Sequence, residues 1–209
     1  MSASAHRRLH DPKYLQLHIP GNSHVQDVSG HGNVTTPSSV TYATGPFSGH
    51  SVAVLTTSAF VTIPTQTLTK LTFAAWVLGD GMIFSNASAG GVSRIYYDKM
   101  VLGGQVGITA EDAALLCTAS GLGDTSGSWT HWAWVYDGVA ATGECYRNGI
   151  GMGAATFTAG KTVILNQLFK ARGSATSIRT FSGQASHCRL YNIALTGSEI
   201  SALYEFDRR

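Results

Sequence analysis

The chain has 209 residues, and its formal net charge of +2 comes from 14 basic and 12 acidic side chains. Because the basic residues are scattered, they form no stripe that would neutralise nucleic-acid phosphates. A hydrophobic content of 44% excludes a disordered chain, and no apolar run reaches the roughly 18 residues of a membrane span. The length and the 24 glycines favour one large β domain of short strands joined by tight turns.

Residues 1–24 are predicted to form an N-terminal arm, and residues 25–209 the folded domain. The arm is rich in histidine, and its only apolar alternation is short. It lacks the apolar core of a secretory signal, so we expect the chain to fold in a cytoplasm. Because free termini fray unless something holds them, we predict that the arm docks on a neighbouring subunit. The docking residues would be Tyr14, Leu15, Leu17 and Ile19.

From Asp27 onward, apolar or alternating runs recur at short intervals and are separated by turn residues. Asn148-Gly149 is a strong two-residue hairpin signal. The predicted strands are 51–55, 60–63, 71–78, 81–84, 94–98, 101–109, 113–119, 131–136, 144–147, 163–169 and 185–191. Two packed antiparallel sheets are the simplest arrangement of so many short strands.

One short helix is predicted after the last strand. Thr196 and Glu199 have the spacing of a capping box, in which each side chain satisfies a backbone N–H of the first turn. Ile200, Leu203 and Tyr204 follow at helical spacing. This is the only helix that the sequence predicts.

Several segments together resemble the laminin-G-like, concanavalin A-like jelly-roll domains. In the C-terminal half they are Trp129-Thr-His-Trp-Ala-Trp-Val-Tyr-Asp-Gly138, Glu144-Cys-Tyr-Arg-Asn-Gly149 and the stretch from Phe181 to Tyr204. In the N-terminal half, Asp27-Val-Ser-Gly-His-Gly-Asn33 is similar to the family's opening motif, and Leu71-Thr-Phe-Ala-Ala-Trp-Val77 is similar to its early core strand. The resemblance runs from about Asp27 to Tyr204. It implies an all-β, two-sheet antiparallel jelly-roll sandwich, but not one particular activity, because a single fold serves many functions.

The cysteine count is odd, and each cysteine lies in or beside an apolar run. We interpret Cys117, Cys145 and Cys188 as reduced residues packed in or near the core. A disulfide between Cys145 and Cys188 is the alternative.

Catalytic and zinc-site patterns are missing from the sequence. Glucanases with this fold place paired carboxylates on one strand as Glu-x-Asp-x-x-Glu, and no such pattern occurs here. There is no Gly-x-Ser-x-Gly elbow, and the histidines lack zinc-ligand spacing with cysteine or carboxylate partners. His131 lies in a Trp-rich strand, so we interpret it as a buried histidine whose hydrogen bonds are satisfied. We therefore expect no enzymatic activity.

The resemblance also implies a possible calcium ion, because many laminin-G-like domains bind one at a rim. Asp27 and Asn33 match the family's opening motif, which often contributes a carboxylate and backbone oxygens. Calcium needs six to eight oxygen ligands, and the remaining ones are not apparent in the sequence. The alternative is that Asp27 caps an Asx-type turn over Ser29 and Gly30.

A sugar site is predicted on the strand Arg94-Ile-Tyr-Tyr-Asp98. Arg94, Tyr96 and Asp98 share one face of this strand and could cradle a sugar ring. Tyrosines at half-buried strand positions are equally ordinary sandwich residues. The four tryptophans lie in apolar strands and are predicted to fill the core.

Laminin-G-like domains usually act outside cells, whereas this chain shows no export signal. A virus particle would reconcile the two, because coat and tail proteins fold in host cytoplasm and later meet the outside. The sequence therefore predicts a non-enzymatic virion surface protein of a bacteriophage. It would decorate a capsid or tail, contact virion structural proteins or copies of itself, and present its sandwich to host-surface glycans. The alternatives are a free carbohydrate-binding module and, third, an unrecognised glycoside hydrolase.

Overall fold

The protein is an antiparallel β-sandwich with a C-terminal helix, α1 (Gly197–Asp207). A computed structural model describes residues 8–21, 24–47, 51–55, 59–86, 93–98, 105–109, 115–120, 122–156, 160–170 and 181–208. The strands are β1 (Leu15–Ile19), β2 (Thr36–Ser38), β3 (Thr41–Thr44), β4 (Ser51–Leu55), β5 (Phe60–Leu68), β6 (Lys70–Ser85), β7 (Arg94–Asp98), β8 (Gln105–Thr109), β9 (Leu115–Ser120), β10 (Thr130–Asp137), β11 (Thr142–Arg147), β12 (Ile150–Thr156), β13 (Val163–Leu168) and β14 (Ser182–Tyr191). The predicted all-β sandwich is confirmed.

The strands form two packed sheets that share β6. The first sheet runs β12-β11-β10-β6-β14, and the far edge of β14 pairs with β4 and β1, with β3 beyond β4. The second sheet runs β2-β5-β13-β6-β7-β8-β9. Among the described strands, β3 and β2 therefore lie at outer edges of the first and second sheet. The chain crosses from one sheet to the other between them.

Strand β6 belongs to both sheets because it bends between Gly79 and Gly81. These glycines have φ of 129° and 118°, in the region that side chains with a Cβ rarely adopt. Gly79 lies directly opposite Gly183 of β14, and a Cβ on Gly79 would collide with the Ser182 carbonyl oxygen. The close approach of two glycines thus allows the corner at which β6 passes between the sheets.

The main core lies between the two sheets and is rich in aromatic side chains. Phe73, Trp132 and Trp134 of the first sheet are at most 1% exposed. Tyr97 of β7 stacks on Trp132 with ring centroids 5.3 Å apart, and Phe84 meets Phe73 at 5.2 Å. These contacts join the sheets through apolar burial, which is the main favourable term in folding.

A second apolar cluster lies on the outer face of the first sheet, beneath α1. It contains Ile200 and Leu203 of α1, packed with Ala74, Ala133, Val135 and Tyr146 of the sheet. The predicted capping box is confirmed: Thr196 Oγ1 accepts from Glu199 N–H at 3.3 Å, and Glu199 Oε2 accepts from Thr196 N–H at 2.8 Å. A short helical segment at residues 8–10, absent from the sequence prediction, adds Leu9 to this cluster. None of the helices in the described part of the chain has the length and hydropathy needed to cross a membrane.

The prediction of an N-terminal arm is wrong for the four residues that were expected to dock it on a neighbouring subunit. Leu15, Leu17 and Ile19 lie in β1, which pairs antiparallel with β14, and they are 4%, 0% and 4% exposed. Tyr14 is partly buried beside them, and its carbonyl oxygen accepts from the Asn192 N–H at 3.0 Å. A register shift between Leu15 and Leu17 sends Leu15 to the helix side and Leu17 to the main core. The predicted boundary at residue 24 therefore separates β1 from its own sheet.

The cysteine prediction is confirmed where the structure describes the side chains. Cys145 of β11 and Cys188 of β14 are both buried, and neither is in a disulfide. Strands β10 and β6 separate them, which places them about 14 Å apart, whereas a disulfide needs Cα atoms within about 7 Å. The alternative disulfide is therefore wrong. Burial raises the pKa of the Cys188 thiol to about 12, so this cysteine is an inert core residue. The side chain of Cys117 lies outside the described residues.

Candidate functional site

A surface groove of about 480 Å³ lies at the edge of the sandwich, where the chain passes from the first sheet to the second. One wall is the loop between β1 and β2, and the other is formed by Pro37 of β2 and Tyr42 of β3. The lining residues are His24, Val25, Gln26, Asp27, Gly32, Asn33, Val34, Thr35, Pro37 and Tyr42. We call this surface the seam groove, because it spans the line where the two sheets meet.

Asp27 holds the loop of the seam groove in one shape. Its Oδ1 accepts from the backbone N–H groups of His18 and Ser29, both at 2.9 Å. Its Oδ2 accepts from Ser29 Oγ and Asn33 Nδ2, both at 2.8 Å, and from Asn33 N–H at 3.3 Å. Burial opposes ionisation of Asp27, but these hydrogen bonds lower its pKa below the ordinary value. The charged carboxylate therefore serves as a structural acceptor.

Further hydrogen bonds tie the same loop to β1 and hold its two ends together. Asn33 Nδ2 donates to the Gln16 carbonyl oxygen at 2.7 Å, and Thr35 Oγ1 donates to the Val25 carbonyl oxygen at 2.6 Å. Outside the groove, His31 Nε2 lies 2.6 Å from the Pro12 carbonyl oxygen. With its backbone fixed in this way, the loop presents its lining groups in a preformed arrangement.

Asp27 and Asn33 do not fit the calcium ion implied by the family resemblance. Both Asp27 oxygens face N–H or O–H donors, and Asn33 turns its amide N–H group toward Asp27. A cation needs oxygens that point at a common centre, whereas these oxygens are already used as acceptors. Within the described ranges, no group of three or more His, Cys, Asp or Glu side chains is placed to hold a metal ion. The Asx-type turn over Ser29 is the arrangement that the structure contains.

The seam groove combines apolar faces with polar side chains that are exposed to solvent. Tyr42 is 39% exposed and Val34 is 77% exposed, so both present apolar surface to solvent. His24 and Gln26 are exposed nearby, and both have side chains that can form hydrogen bonds with a ligand. Such a set can stack against a flat apolar face of a ligand and bind its polar groups.

The predicted sugar site on β7 is not open to a ligand in this structure. The Arg94 guanidinium lies over the Tyr96 ring, with its central carbon 5.9 Å from the ring centroid, so these two residues are brought together. Tyr96 is only 5% exposed, however, and a buried ring offers no face to a sugar. The side chain of Asp98 lies outside the described residues. Strand β7 is also remote from the seam groove, because β6, β13 and β5 separate it from β2.

A second, smaller groove of about 290 Å³ lies near the start of α1. It contains the carboxylates of Asp137 and Glu144. Asp137 pairs with Lys70 at 2.8 Å and accepts from two backbone N–H groups, and Glu144 Oε2 accepts from the Tyr146 hydroxyl at 2.6 Å. Burial works to raise the pKa of Asp137, but its bond to Lys70 and these N–H groups lower it. Both carboxylates thus have structural partners.

Replacement of Asp27 by alanine is expected to lower the free energy of unfolding by about 2 kcal/mol, because it leaves several partly buried N–H donors without their acceptor. Urea denaturation of the purified protein measures this change. Asp124→Ala is a matched control: Asp124 accepts from Ser126 two residues on, as Asp27 does from Ser29, but at an exposed site. We expect a change within about 0.5 kcal/mol there. Equal losses in the two variants would show that the Asp27 contacts do not hold the loop.

Comparison with known proteins agrees with this architecture. The family model described as "Concanavalin A-like lectin/glucanases superfamily" matches residues 29–201. No match was found among curated protein sequences. Solved structures, in contrast, match this chain over most of its length.

Three of the solved structures show the range of the likeness. Domain 4 of AbnA, an extracellular GH43 arabinanase from Geobacillus stearothermophilus in complex with arabinotriose, is 18% identical with a TM-score of 0.66, over 92% of this chain and 99% of that one. The binding domain of botulinum neurotoxin serotype G is 13% identical with a TM-score of 0.68, over 92% of this chain and 51% of that one. A heptameric SAP-like pentraxin from Limulus polyphemus is 18% identical with a TM-score of 0.54, over 69% and 74%.

At these identities the solved structures establish the fold alone, and this chain spans about half the length of the toxin binding domain. The family model, in contrast, covers most of the chain, and its bounds enclose β2 to β14 and the first turn of α1. The chain therefore belongs to the Concanavalin A-like lectin/glucanases superfamily.

Proposed function

We propose that this protein is a non-enzymatic glycan-binding module and that the seam groove is its binding site. The observation that carries the proposal is the exposed ring of Tyr42, which faces the polar side chains of a loop that Asp27 holds in shape. Sugars present apolar C–H faces and a rim of hydroxyls, which aromatic rings and hydrogen-bonding side chains recognise together. The groove volume of about 480 Å³ lies within the usual range for small-ligand sites, about 300–1,000 Å³.

The charge of the seam groove favours a neutral glycan. Among its described lining residues, Asp27 is the single carboxylate, and its oxygens are used inside the loop. Lysine and arginine are absent from that same set of lining residues. A sialic acid or uronic acid would therefore find no lysine or arginine there to pair with its carboxylate. Neutral oligosaccharides match the groove best.

Two of the similar structures support a carbohydrate ligand. Domain 4 of AbnA is in complex with arabinotriose. Cell entry of botulinum neurotoxin type C depends on interaction with two ganglioside molecules, and its structure resembles this chain with a TM-score of 0.59 at 10% identity. This chain covers 52% of that toxin structure, so the ganglioside contact itself is not carried over. What these relatives contribute is support for glycans as the class of ligand.

Tyr42→Ala is expected to weaken glycan binding about tenfold or more, because it removes a stacking contact worth about 1.5 kcal/mol. A glycan array identifies the bound sugar, and isothermal titration calorimetry measures the affinity. Tyr42→Phe should keep most of the affinity, since it retains the ring. Val139→Ala alters another exposed apolar residue, outside the lining of the seam groove, and should change nothing.

Two outcomes would contradict this proposal. One is an array without any saturable glycan, and the other is a glycan whose affinity is the same in Tyr42→Ala and the unaltered protein. Hydrolysis of the bound glycan would contradict the non-enzymatic part. In that case Glu144→Gln and Asp137→Asn would identify the carboxylates responsible, because both lie in the second groove.

A virion surface role stays a prediction from the sequence. Its structural part was an arm that docks on a neighbouring subunit, and that part fails because Leu15, Leu17 and Ile19 lie inside the sandwich. Capsid or tail attachment and a homo-oligomeric state likewise stay predictions. A free glycan-binding module requires neither of them.

A further inference from the structure

A cluster of buried polar and aromatic side chains lies between the outer face of the first sheet and the second half of α1. It consists of Trp76 from β6, His131 from β10, Arg189 from β14, and Tyr204 and Asp207 from α1. Four of these residues are at most 8% exposed: His131 at 0%, Arg189 at 2%, Trp76 at 6% and Asp207 at 7%. We call this set the latch cluster.

The latch cluster attaches the end of α1 to the sheet by two kinds of contact. Tyr204 stacks on Trp76 with ring centroids 5.6 Å apart and an angle of 26° between the rings. The Asp207 carboxylate accepts from Arg189 Nη1 at 2.6 Å. His131 lies against both aromatic rings, at 5.4 Å from Trp76 and 5.7 Å from Tyr204.

The His131 ring is buried without hydrogen bonds. Its backbone N–H donates to Asn148 Oδ1 at 3.0 Å, but neither ring nitrogen has a partner among the described residues. The sequence interpretation of His131 is therefore correct about burial and wrong about satisfied hydrogen bonds. Trp76 Nε1 and Asp207 Oδ1 are likewise without partners there. Such unpaired groups make the docking of this half of α1 less favourable than an apolar contact of equal area.

A charge on the His131 ring would meet an unfavourable set of neighbours. From β14 it faces Arg189 and His187, and from α1 it faces Asp207 and Tyr204. Trp76 of β6 and Asn148, which follows β11, are uncharged. The Asp207 carboxylate, the one anion in this set, is already paired with Arg189. A protonated His131 would thus place a second cation beside Arg189 in a region shielded from water.

His131 is accordingly neutral at pH 7. Burial is the main cause that lowers the pKa of His131 to about 4. The nearby Asp207 carboxylate acts to raise this pKa, whereas Arg189 and His187 act to lower it. When the helix end is undocked, the ring would take up a proton near its ordinary pKa of about 6.5. The undocked form thus binds more protons between about pH 6.5 and pH 4. The docked form is favoured above that window and loses its advantage as the pH falls through it.

We propose that the end of α1, residues 204–207, is an acid-operated latch, which protonation of His131 releases from the sheet so that the side of Trp76 beneath Tyr204 becomes exposed. The part of α1 that precedes Tyr204 is held independently. Its capping box, the ion pair between Glu199 and Arg8 at 2.9 Å, and the apolar contacts of Ile200 and Leu203 do not involve His131. The main core lies on the opposite face of the first sheet and contains none of the latch cluster. Release is therefore local and leaves the sandwich folded.

Nuclear magnetic resonance of the full chain between pH 7.5 and pH 4 tests the latch. We expect the amide resonances of residues 204–207 and the indole resonance of Trp76 to shift toward disordered positions, with one midpoint inside the window. The indole of Trp134, which packs in the main core, should not move. The ring carbon of His131 should titrate with the same midpoint as the helix end.

His131→Gln removes the titrating ring and should keep residues 204–207 docked throughout the pH range. His31→Gln, at an exposed histidine outside the lining of the seam groove, should behave like the unaltered protein. Three results would overturn the proposal: a helix end that stays docked to pH 4, a Trp134 resonance that changes at the same midpoint, or an unchanged transition in His131→Gln. If His131→Gln fails to fold, the titration of the His131 ring in the unaltered protein still tests the proposal. A midpoint that differs from the midpoint of the helix end refutes the latch.

Discussion

Replacement of Leu17 by alanine is expected to lower the free energy of unfolding by about 3 kcal/mol. Leu17 is fully buried in the main core, and its strand β1 pairs with β14 along residues 188–191. Urea denaturation followed by circular dichroism measures the change. Gln16→Ala is the matched control in the same strand, because its partly exposed side chain makes a single long hydrogen bond among the described residues, of 3.4 Å to the Lys13 carbonyl oxygen. It should alter stability by no more than about 0.5 kcal/mol.

Deletion of residues 1–19 is expected to destabilise the protein more than Leu17→Ala does. It would remove the whole of β1, leave part of the β14 edge unpaired and uncover the core beneath Leu17 and Ile19. We expect an unfolded or aggregated product in size-exclusion chromatography and circular dichroism. A soluble, folded sandwich after the deletion, together with equal stabilities of Leu17→Ala and Gln16→Ala, would restore the interpretation of this segment as an arm.

Asp207→Ala is expected to destabilise the protein by about 3–5 kcal/mol, because it leaves the buried Arg189 guanidinium without its counter-ion. Burial works to lower the pKa of Arg189, but Asp207 raises it above the ordinary value, so the pair is fully charged. Urea or thermal denaturation at neutral pH measures the loss. Glu205→Ala is the control: it removes an exposed ion pair with Arg208 at 3.4 Å and should matter little.

A double variant separates the ion pair from the surrounding packing. Arg189→Met combined with Asp207→Ala removes both charges, and it should recover most of the stability lost in Asp207→Ala alone. If Asp207→Ala is no worse than Glu205→Ala, the buried pair contributes nothing to stability and the end of α1 is held only by its aromatic contacts.

Sequence reasoning located the strands that are buried along most of their length. Strand β10 and the second part of β14 are buried on both faces, and the capping box fixes where α1 begins. Strands β2, β3 and β12 were missed, because an edge strand need not bury alternate residues. Strand β2 contains Pro37, which cannot donate a ladder hydrogen bond, and β12 is interrupted by Gly151 and Gly153. The alternation of Leu15, Leu17 and Ile19 in β1 is regular, but it covers five residues in a histidine-rich segment, so it was assigned to an arm instead of the sandwich.

The candidate site was harder to predict than the fold, because it depends on which surfaces meet. The sequence identified Asp27 and Asn33 as a special loop, but it could not show that N–H groups of His18 and Ser29 would use the carboxylate. Strand alternation correctly placed Arg94 and Tyr96 on the same face. It could not show that Tyr96 is buried, because burial depends on how distant segments pack together. Tyr42 carried no signal, because a single aromatic in a polar strand is ordinary. The partners of His131 are likewise scattered along the chain.

Strand β6 has a consequence for how this molecule opens. Its first part is hydrogen-bonded to β10 and β14, and its last residues are hydrogen-bonded to β7 and β13. Neither sheet can detach as a separate cooperative unit, because loss of either one breaks the pairing of a strand that the other also needs. The slowest amide hydrogen exchange should therefore coincide along β6 on both sides of its bend. Opening below the global transition would then be confined to parts outside β6 and its partners, such as the end of α1.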